Sequence, residues 1–171
     1  MKRLFLMRHA KSDWAGSGVV DFERPLSRRG RRAAPAMGRY MRRQKLIPDL
    51  ALCSTARRAI ETWEGLASQL KTSVPLMSSK RLYLAAPGEI LKQIQGLTED
   101  INSVLIIGHN PGLHSLALHL TGRGDADSRT RLASKYPTGA VAILDFPVTY
   151  WGDLAAGEGE LSCFVAPRDV D

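Results

Sequence analysis

The chain lacks any apolar stretch long enough to cross a bilayer. Runs such as Val104–Ile107 stop after a few residues, where a spanning helix needs about 20. It also lacks a secretory pattern at its start, because Lys2 and Arg3 are followed only by Leu4–Met7 before Arg8 interrupts. The cytoplasm is the expected location, with no membrane partner. Cysteine is scarce: Cys53 and Cys163 fall in strand-like segments, and neither has a neighbour at metal-ligand spacing. Two reduced, buried thiols are expected, rather than a disulfide or a metal site. Acidic residues are thin in one half. Residues 1–72 carry 16 Lys/Arg against 6 Asp/Glu, whereas residues 73–171 carry 8 against 11, so the net charge of +7 is concentrated early. A positive lobe enriches anions nearby without saying which.

What is present reads as an ordinary globular chain. At 171 residues, 44% hydrophobic and 24% charged, residues 1–171 are expected to form one domain with a real core. Strand-like runs occur at Arg3–Met7, Asp49–Cys53, Ser103–Ile107, Ala140–Phe146 and Glu160–Ala166, with Val74–Met77 weaker. Between them, Ala59, Trp63, Leu66 and Leu70 recur at helical spacing, as do Ile90, Leu91, Ile94 and Leu97, and Leu113, Leu116, Ala117 and Leu120. This alternation predicts a three-layer α/β/α sandwich with a mainly parallel central sheet. The late strands have no long helix between them, which predicts antiparallel pairing at one edge.

The first helix should start at Ser27 as N-cap, with Pro35 forcing a kink or a second start near Ala33. Its arginines, from Arg28 to Arg43, are most simply a solvated face. A phosphate-backbone contact surface is the sharper alternative, weakened because only Tyr40 interleaves an aromatic ring. Segments 16–20 and 122–128 read as mobile loops.

In an open α/β sheet, ligands bind beyond the carboxyl ends of the strands. After the first strand come Arg8 and His9; after the second, Ser54, Thr55, Ala56, Arg57 and Arg58; after the third, Gly108, His109, Asn110 and Pro111. Guanidinium groups match phosphate oxygens in bidentate geometry. Asn110-Pro111 is expected to cap the following helix, and Ser54 to cap the helix before it, bringing amide donors to the same rim. A neutral imidazole is a competent nucleophile toward phosphorus. His114 and His119 lie five residues apart on different helix faces, so they are expected to be packing or surface residues. Neither a metal nor an organic cofactor is expected.

Four segments then carry a resemblance. "LMRHAKSDW", "RPLSRRG", "CSTARRAIET" and "IIGHNPG" resemble, in order, the motifs of the histidine phosphatase superfamily, which has the phosphoglycerate mutase-like fold. The Arg-His-Ala-Lys-Ser wording and compact length are similar to its SixA-type phosphohistidine phosphatase branch. The resemblance spans most of residues 1–120. It implies that His9 is the phosphorylated nucleophile and Arg8 its phosphate-binding neighbour. The Ser-x-x-x-Arg-Ala pattern aligns Ser54 with Arg58, rather than Arg57, as the pocket arginine. His109 corresponds to the second pocket histidine and Arg24 to a secondary substrate contact; Lys11, Ser12 and Asn110 would line the mouth. Larger members use a carboxylate between the pocket arginine and the second histidine as general acid. Here Glu89 is the only acid between Gly65 and Thr98, and its place in a helix's first turn has a structural reading too; Asp13 is the other candidate.

The resemblance implies a metal-independent phosphatase acting on a phosphorylated protein, most naturally a phosphohistidine protein. The alternatives are a small-molecule phosphomonoesterase, or a non-catalytic module that binds phosphoryl groups or nucleic acid. Nothing in the sequence bears on oligomeric state.

Overall fold

The computed structural model describes every residue except Ala15, Ser17 and Asp171; of the loop expected over 16–20, residue 17 thus lies outside the described residues. Among the described residues the chain forms seven strands and five α-helices: β1 (Lys2–Arg8), α1 (Arg28–Arg43), β2 (Leu50–Ser54), α2 (Arg57–Leu70), β3 (Leu76–Ser79), α3 (Pro87–Gln95), β4 (Ser103–Gly108), α4 (Gly112–Leu120), β5 (Thr121–Gly124), α5 (Ala126–Ser134), β6 (Val141–Phe146) and β7 (Gly159–Val165). The strands form one sheet in the order β3-β2-β4-β1-β6-β7-β5. β1, β2, β3 and β4 pair in parallel. The antiparallel pairing expected late in the chain is made by β6 with β1 and with β7, and β5 joins β7 in parallel.

The sheet is covered on both faces, and β1 shows why its sequence is continuously apolar. Successive side chains of a strand point to opposite faces. Leu4 and Leu6 accordingly enter a core with Ile90 and Ile94 of α3 and Leu113, Leu116 and Leu120 of α4. Phe5 and Met7 enter the other, with Met37 and Met41 of α1 and Trp63 and Leu66 of α2. A strand buried on both faces needs no polar alternation.

Ser27 caps α1 as expected, its side chain accepting the Gly30 N–H. The second start near Ala33 does not occur: α1 runs unbroken from Arg28 to Arg43 with Pro35 inside it. The loop expected over 122–128 is instead the end of β5 and the start of α5, with Asp125 capping α5 through the Ser128 N–H. Among the described residues, no helix is long and apolar enough to cross a membrane.

Register places the chemistry. Arg8 at the end of β1 lies opposite Gly108 at the end of β4, so the next residues, His9 and His109, leave the sheet side by side. Cys53 of β2 pairs with Ile107 of β4, which brings Ser54 and the start of α2 to the same rim.

Candidate active site

His9, Arg58 and His109 meet on this rim, only 7%, 3% and 2% exposed. The His9 and His109 ring centroids are 5.2 Å apart. Arg58 bridges them, its Nε 3.3 Å from His9 Nε2 and its Nη2 3.4 Å from His109 Nδ1. They open into a cleft of about 250 Å³ that Arg8, Lys11, Ser12, Asp21, Arg24 and Asn110 also line. A groove of about 690 Å³ elsewhere is larger, but it contains no histidine, so chemistry rather than size selects the cleft.

The hydrogen bonds assign the tautomers. His9 Nδ1 lies 2.7 Å from the Ala10 carbonyl oxygen, which can only accept, so Nδ1 carries the proton. Arg58 Nε can only donate, so His9 Nε2 is unprotonated and its lone pair accepts that N–H over a long 3.3 Å bond. For His109, Nδ1 faces the Arg58 donor and Nε2 lies 2.8 Å from Ser54 Oγ, placing its proton on Nε2. Both rings are held neutral. Burial, aided by the Arg58 and Arg8 guanidiniums, lowers His9 to about 3 despite the opposing bond to Ala10. Burial and then the Arg58 charge lower His109 to about 4.

The surrounding chain positions these groups. Thr62 Oγ1 donates to the Arg58 carbonyl (2.7 Å) and accepts the Ala10 N–H (2.9 Å), tying α2 to the residue after His9. Arg8 Nη1 donates to the Tyr136 carbonyl (2.9 Å), leaving its buried Nε without a partner. Two glycines of the quoted motifs allow close approach. A Cβ on Gly30 would lie 2.1 Å from the Lys11 carbonyl oxygen, and one on Gly112 would lie 1.9 Å from that of Ala85. The first lets α1 reach the loop after His9; the second lets α4 reach the segment that carries Tyr83.

Two capping expectations are corrected. Ser54 caps no helix, since Ala56 is the N-cap of α2; its hydroxyl instead meets His109 and accepts the Ala56 N–H at 3.2 Å. Asn110 does not cap α4, whose N-cap is Pro111. Its Nδ2 donates to the Tyr136 carbonyl (3.3 Å), and its buried Oδ1 has no partner at the cleft.

The other expected residues separate. Arg24 lines the mouth, stacked 3.5 Å from the Trp14 ring centroid and donating to Ser12 Oγ. Lys11 lines it too. Glu89 is not among the lining residues: its carboxylate pairs with Arg81 at 2.7 Å in the first turn of α3. Asp13 does not line the cleft either, and its carbonyl accepts from Arg24 Nε at 3.3 Å. His114 bonds the Leu132 carbonyl, and His119 is exposed, so neither reaches the site.

Asp21 was not among the expected residues. It sits in a short 3₁₀ turn (Asp21–Glu23). Its carboxylate pairs with Arg58 Nη2 (3.1 Å) and Arg24 Nη1 (2.8 Å) and accepts from the Tyr83 hydroxyl, while its carbonyl accepts from Arg58 Nη1 (2.8 Å). Burial opposes its charge, but these donors prevail and bring the carboxyl down to about 2. Asp21 and Arg24 are three residues apart, an ion-pair spacing that was the one available signal for it. Among the described residues, no three His, Cys, Asp or Glu side chains gather as a metal site.

The family described as the histidine phosphatase superfamily (branch 1) matches residues 4–83. An uncharacterized protein of Mycobacterium tuberculosis is 34% identical over 164 residues, covering 95% of this chain and 100% of the relative. This chain belongs to the histidine phosphatase superfamily. The solved structure of a putative phosphohistidine phosphatase SixA from Nakamurella multipartitia superposes with a TM-score of 0.84 at 29% identity, covering 97% of this chain and 96% of that one. A second putative phosphohistidine phosphatase SixA, from Agrobacterium tumefaciens, gives 0.83 at 29% identity, covering 97% and 98%. Within the superfamily, the likeness is to the SixA-type branch.

Proposed function

We propose that this protein is a phosphohistidine phosphatase that works through a covalent phosphate on His9. The observation that carries the reading is the unprotonated Nε2 of a buried, neutral His9, held only by a long bond from Arg58 and ringed by Arg8, Arg58 and His109. The Nε2 lone pair attacks phosphorus as the N–P bond of the substrate phosphohistidine breaks, and the departing imidazole takes a proton from solvent, which the water that attacks in the second step returns. Water then attacks the phosphorus on His9; the second N–P bond breaks, inorganic phosphate leaves, and His9 regains its lone pair. Arg8 and Arg58 hold the phosphoryl oxygens in both steps, spreading the charge of the transition state. Lys11, Ser12, Arg24 and Asn110 contact the substrate at the mouth.

The acids favour a phosphoramidate over an unactivated ester. An alkoxide leaving group needs a proton, and lacking a general acid costs roughly 10²–10⁴ in rate. Among the described residues, Asp21 is the one carboxylate lining the cleft, and at about 2 it is ionised and occupied by three donors. Glu89 is held by Arg81. A leaving imidazole has far less need of help, and transfer between two histidines is close to thermoneutral.

The test pairs a phosphohistidine peptide with an alkyl phosphate, each in the presence of a chelator. The reading expects turnover of the first at least about 100-fold above the second, as loss of acid catalysis implies. Comparable turnover of both would favour a phosphomonoesterase, and binding without turnover a regulatory module.

A further inference from the structure

The larger groove, about 690 Å³, lies between α1 and the turn at Pro167–Asp169. Arg29, Arg32 and Arg39 line it from α1 and Arg168 from the turn, with Ala33 and Ala36 between them. Spacings of three and seven keep the α1 arginines on one helix face, along about 15 Å of helix. A smaller depression shares Arg29 and Arg168 with the groove and adds Lys11, Lys135 and Thr138. Lys11 and Thr138 also line the cleft at His9. Shared lining residues thus place the cleft at His9, the depression and the groove next to one another, in a row that ends at Arg39.

This path is positive, with Asp169, in the same turn as Arg168 and paired with Arg131, the acid beside it among the described residues. Lys11, Arg29, Arg32, Arg39, Lys135 and Arg168 form no ion pair among the described residues. No Asp or Glu occurs from Arg24 to Pro48. Arg31 also lines the groove, and on its other side it borders a depression that contains Glu61 and Glu64, so along α1 acidic side chains meet this row only at Arg31. Scattered surface arginines are ordinary; a concave row of them joined to the cleft is not.

We propose that this path docks an acidic helical face of the protein that carries the phosphoryl group. The substrate's carboxylates would occupy the groove while its phosphohistidine reaches His9, so the inference rests on the reading above. Asp and Glu at three- and four-residue spacing on a facing helix match the arginine row, with charge-assisted hydrogen bonds. The small floor residues Ala33 and Ala36 allow that helix to come close. Single-stranded nucleic acid is the weaker fit, because its affinity depends also on stacked bases, and no aromatic side chain lines the groove or the depression.

The test uses the full chain and three substrates: free phosphohistidine, a phosphohistidine helix bearing glutamates, and the same helix with glutamines. The expected kcat/KM is at least about 10-fold higher for the glutamate helix at low salt. That advantage should shrink toward unity in about 0.5 M salt. Arg32→Glu, Arg39→Glu and Arg168→Glu together should erase the preference and leave free phosphohistidine turnover unchanged, which also shows that the variant folds. Arg39→Glu alone should reduce it in part. The same charge change at Arg28, Arg43 and Lys92, outside the path, should leave the preference in place; an equal loss there would reduce docking to net charge and overturn it. Equal turnover of both helices by the parent protein would also overturn it. If no phosphohistidine substrate is turned over, the functional reading fails instead. Docking is then judged by binding of the unphosphorylated glutamate helix, which the triple variant must weaken; unchanged binding sinks it. Tighter binding of a single-stranded oligonucleotide, lost in the same variant, would replace the protein partner with nucleic acid.

Discussion

Lys2 and Arg58 are both buried cations, at opposite ends of one sheet, and only Arg58 faces a cleft. Lys2 is 2% exposed. Its Nζ donates to the Glu99 and Ile101 carbonyls at 2.6 and 2.8 Å and to Asn102 Oδ1 at 3.1 Å, and it lies 5.6 Å from the Trp151 ring centroid. Three donors meet three acceptors, so its hydrogen bonding is complete. Arg58 is held on one side by the Asp21 carbonyl and carboxylate at 2.8 and 3.1 Å, but its other bonds go to two imidazole nitrogens at 3.3 and 3.4 Å, long bonds that a phosphoryl oxygen would better. Beside it, Arg8 Nε and Asn110 Oδ1 are buried with no partner. Burial of a charge is therefore not the mark of the site. Incomplete pairing toward an open cleft is.

Several substitutions sharpen or break this contrast. The largest effect is expected for Arg58→Lys, which removes the guanidinium fork and should lower kcat/KM on phosphohistidine by about 10²–10³. Its counterpart Lys2→Met should leave kcat/KM within about twofold and cost ~1–3 kcal/mol of stability in denaturant titrations, because it strands buried acceptors. A folded Lys2→Met protein without activity would break the comparison. Asp21→Asn weakens the pairs that orient Arg58 and should lower kcat about 10-fold, since a displacement near 1 Å can cost up to 10². A loss confined to KM would mean that Asp21 contacts substrate instead.

The depressed histidines predict a stability slope. His9 and His109 fall from 6.5 when unfolded to about 3 and about 4 when folded. Between pH 6.5 and 4, the unfolded chain takes up protons at these positions that the folded chain refuses. Stability present above pH 6.5 is therefore lost as the pH falls, by up to about 1.4 kcal/mol per unit for each histidine. His109→Gln should remove one histidine's share, read from urea midpoints at pH 7, 6 and 5; an unchanged slope contradicts a neutral His109. The smallest effect is expected for Glu89→Gln. Its ion pair with Arg81 joins side chains 62% and 33% exposed, so turnover should stay within about threefold, whereas a catalytic acid would cost ~10²–10⁴.

The sequence was most legible where one element dictates one period. β1, β2, β4, β6 and β7 follow from strand-like runs, and the sheet rule points to Arg8, His9 and His109 at strand ends, whereas Arg58 is separated from Arg57 only by the family motif. β5 and α5 were missed because Thr121–Gly124 holds two glycines and α5 buries only Leu132, which leaves no periodicity to read. Of the kink or second start that Pro35 predicts, the second start is absent, since α1 continues through it from Arg28 to Arg43. Asp21 and Tyr83 enter from a 3₁₀ turn and from a residue just after another, where position depends on the tertiary bonds of Arg58 and Tyr83 to Asp21 rather than on local pattern.

Brief exposure to a phosphohistidine peptide, rapid quenching and mapping of the modified residue test the central claim most directly. The geometry predicts an acid-labile, base-stable phosphate on Nε2 of His9, absent in His9→Ala. Phosphate on His109, or turnover that survives in His9→Ala, would contradict it.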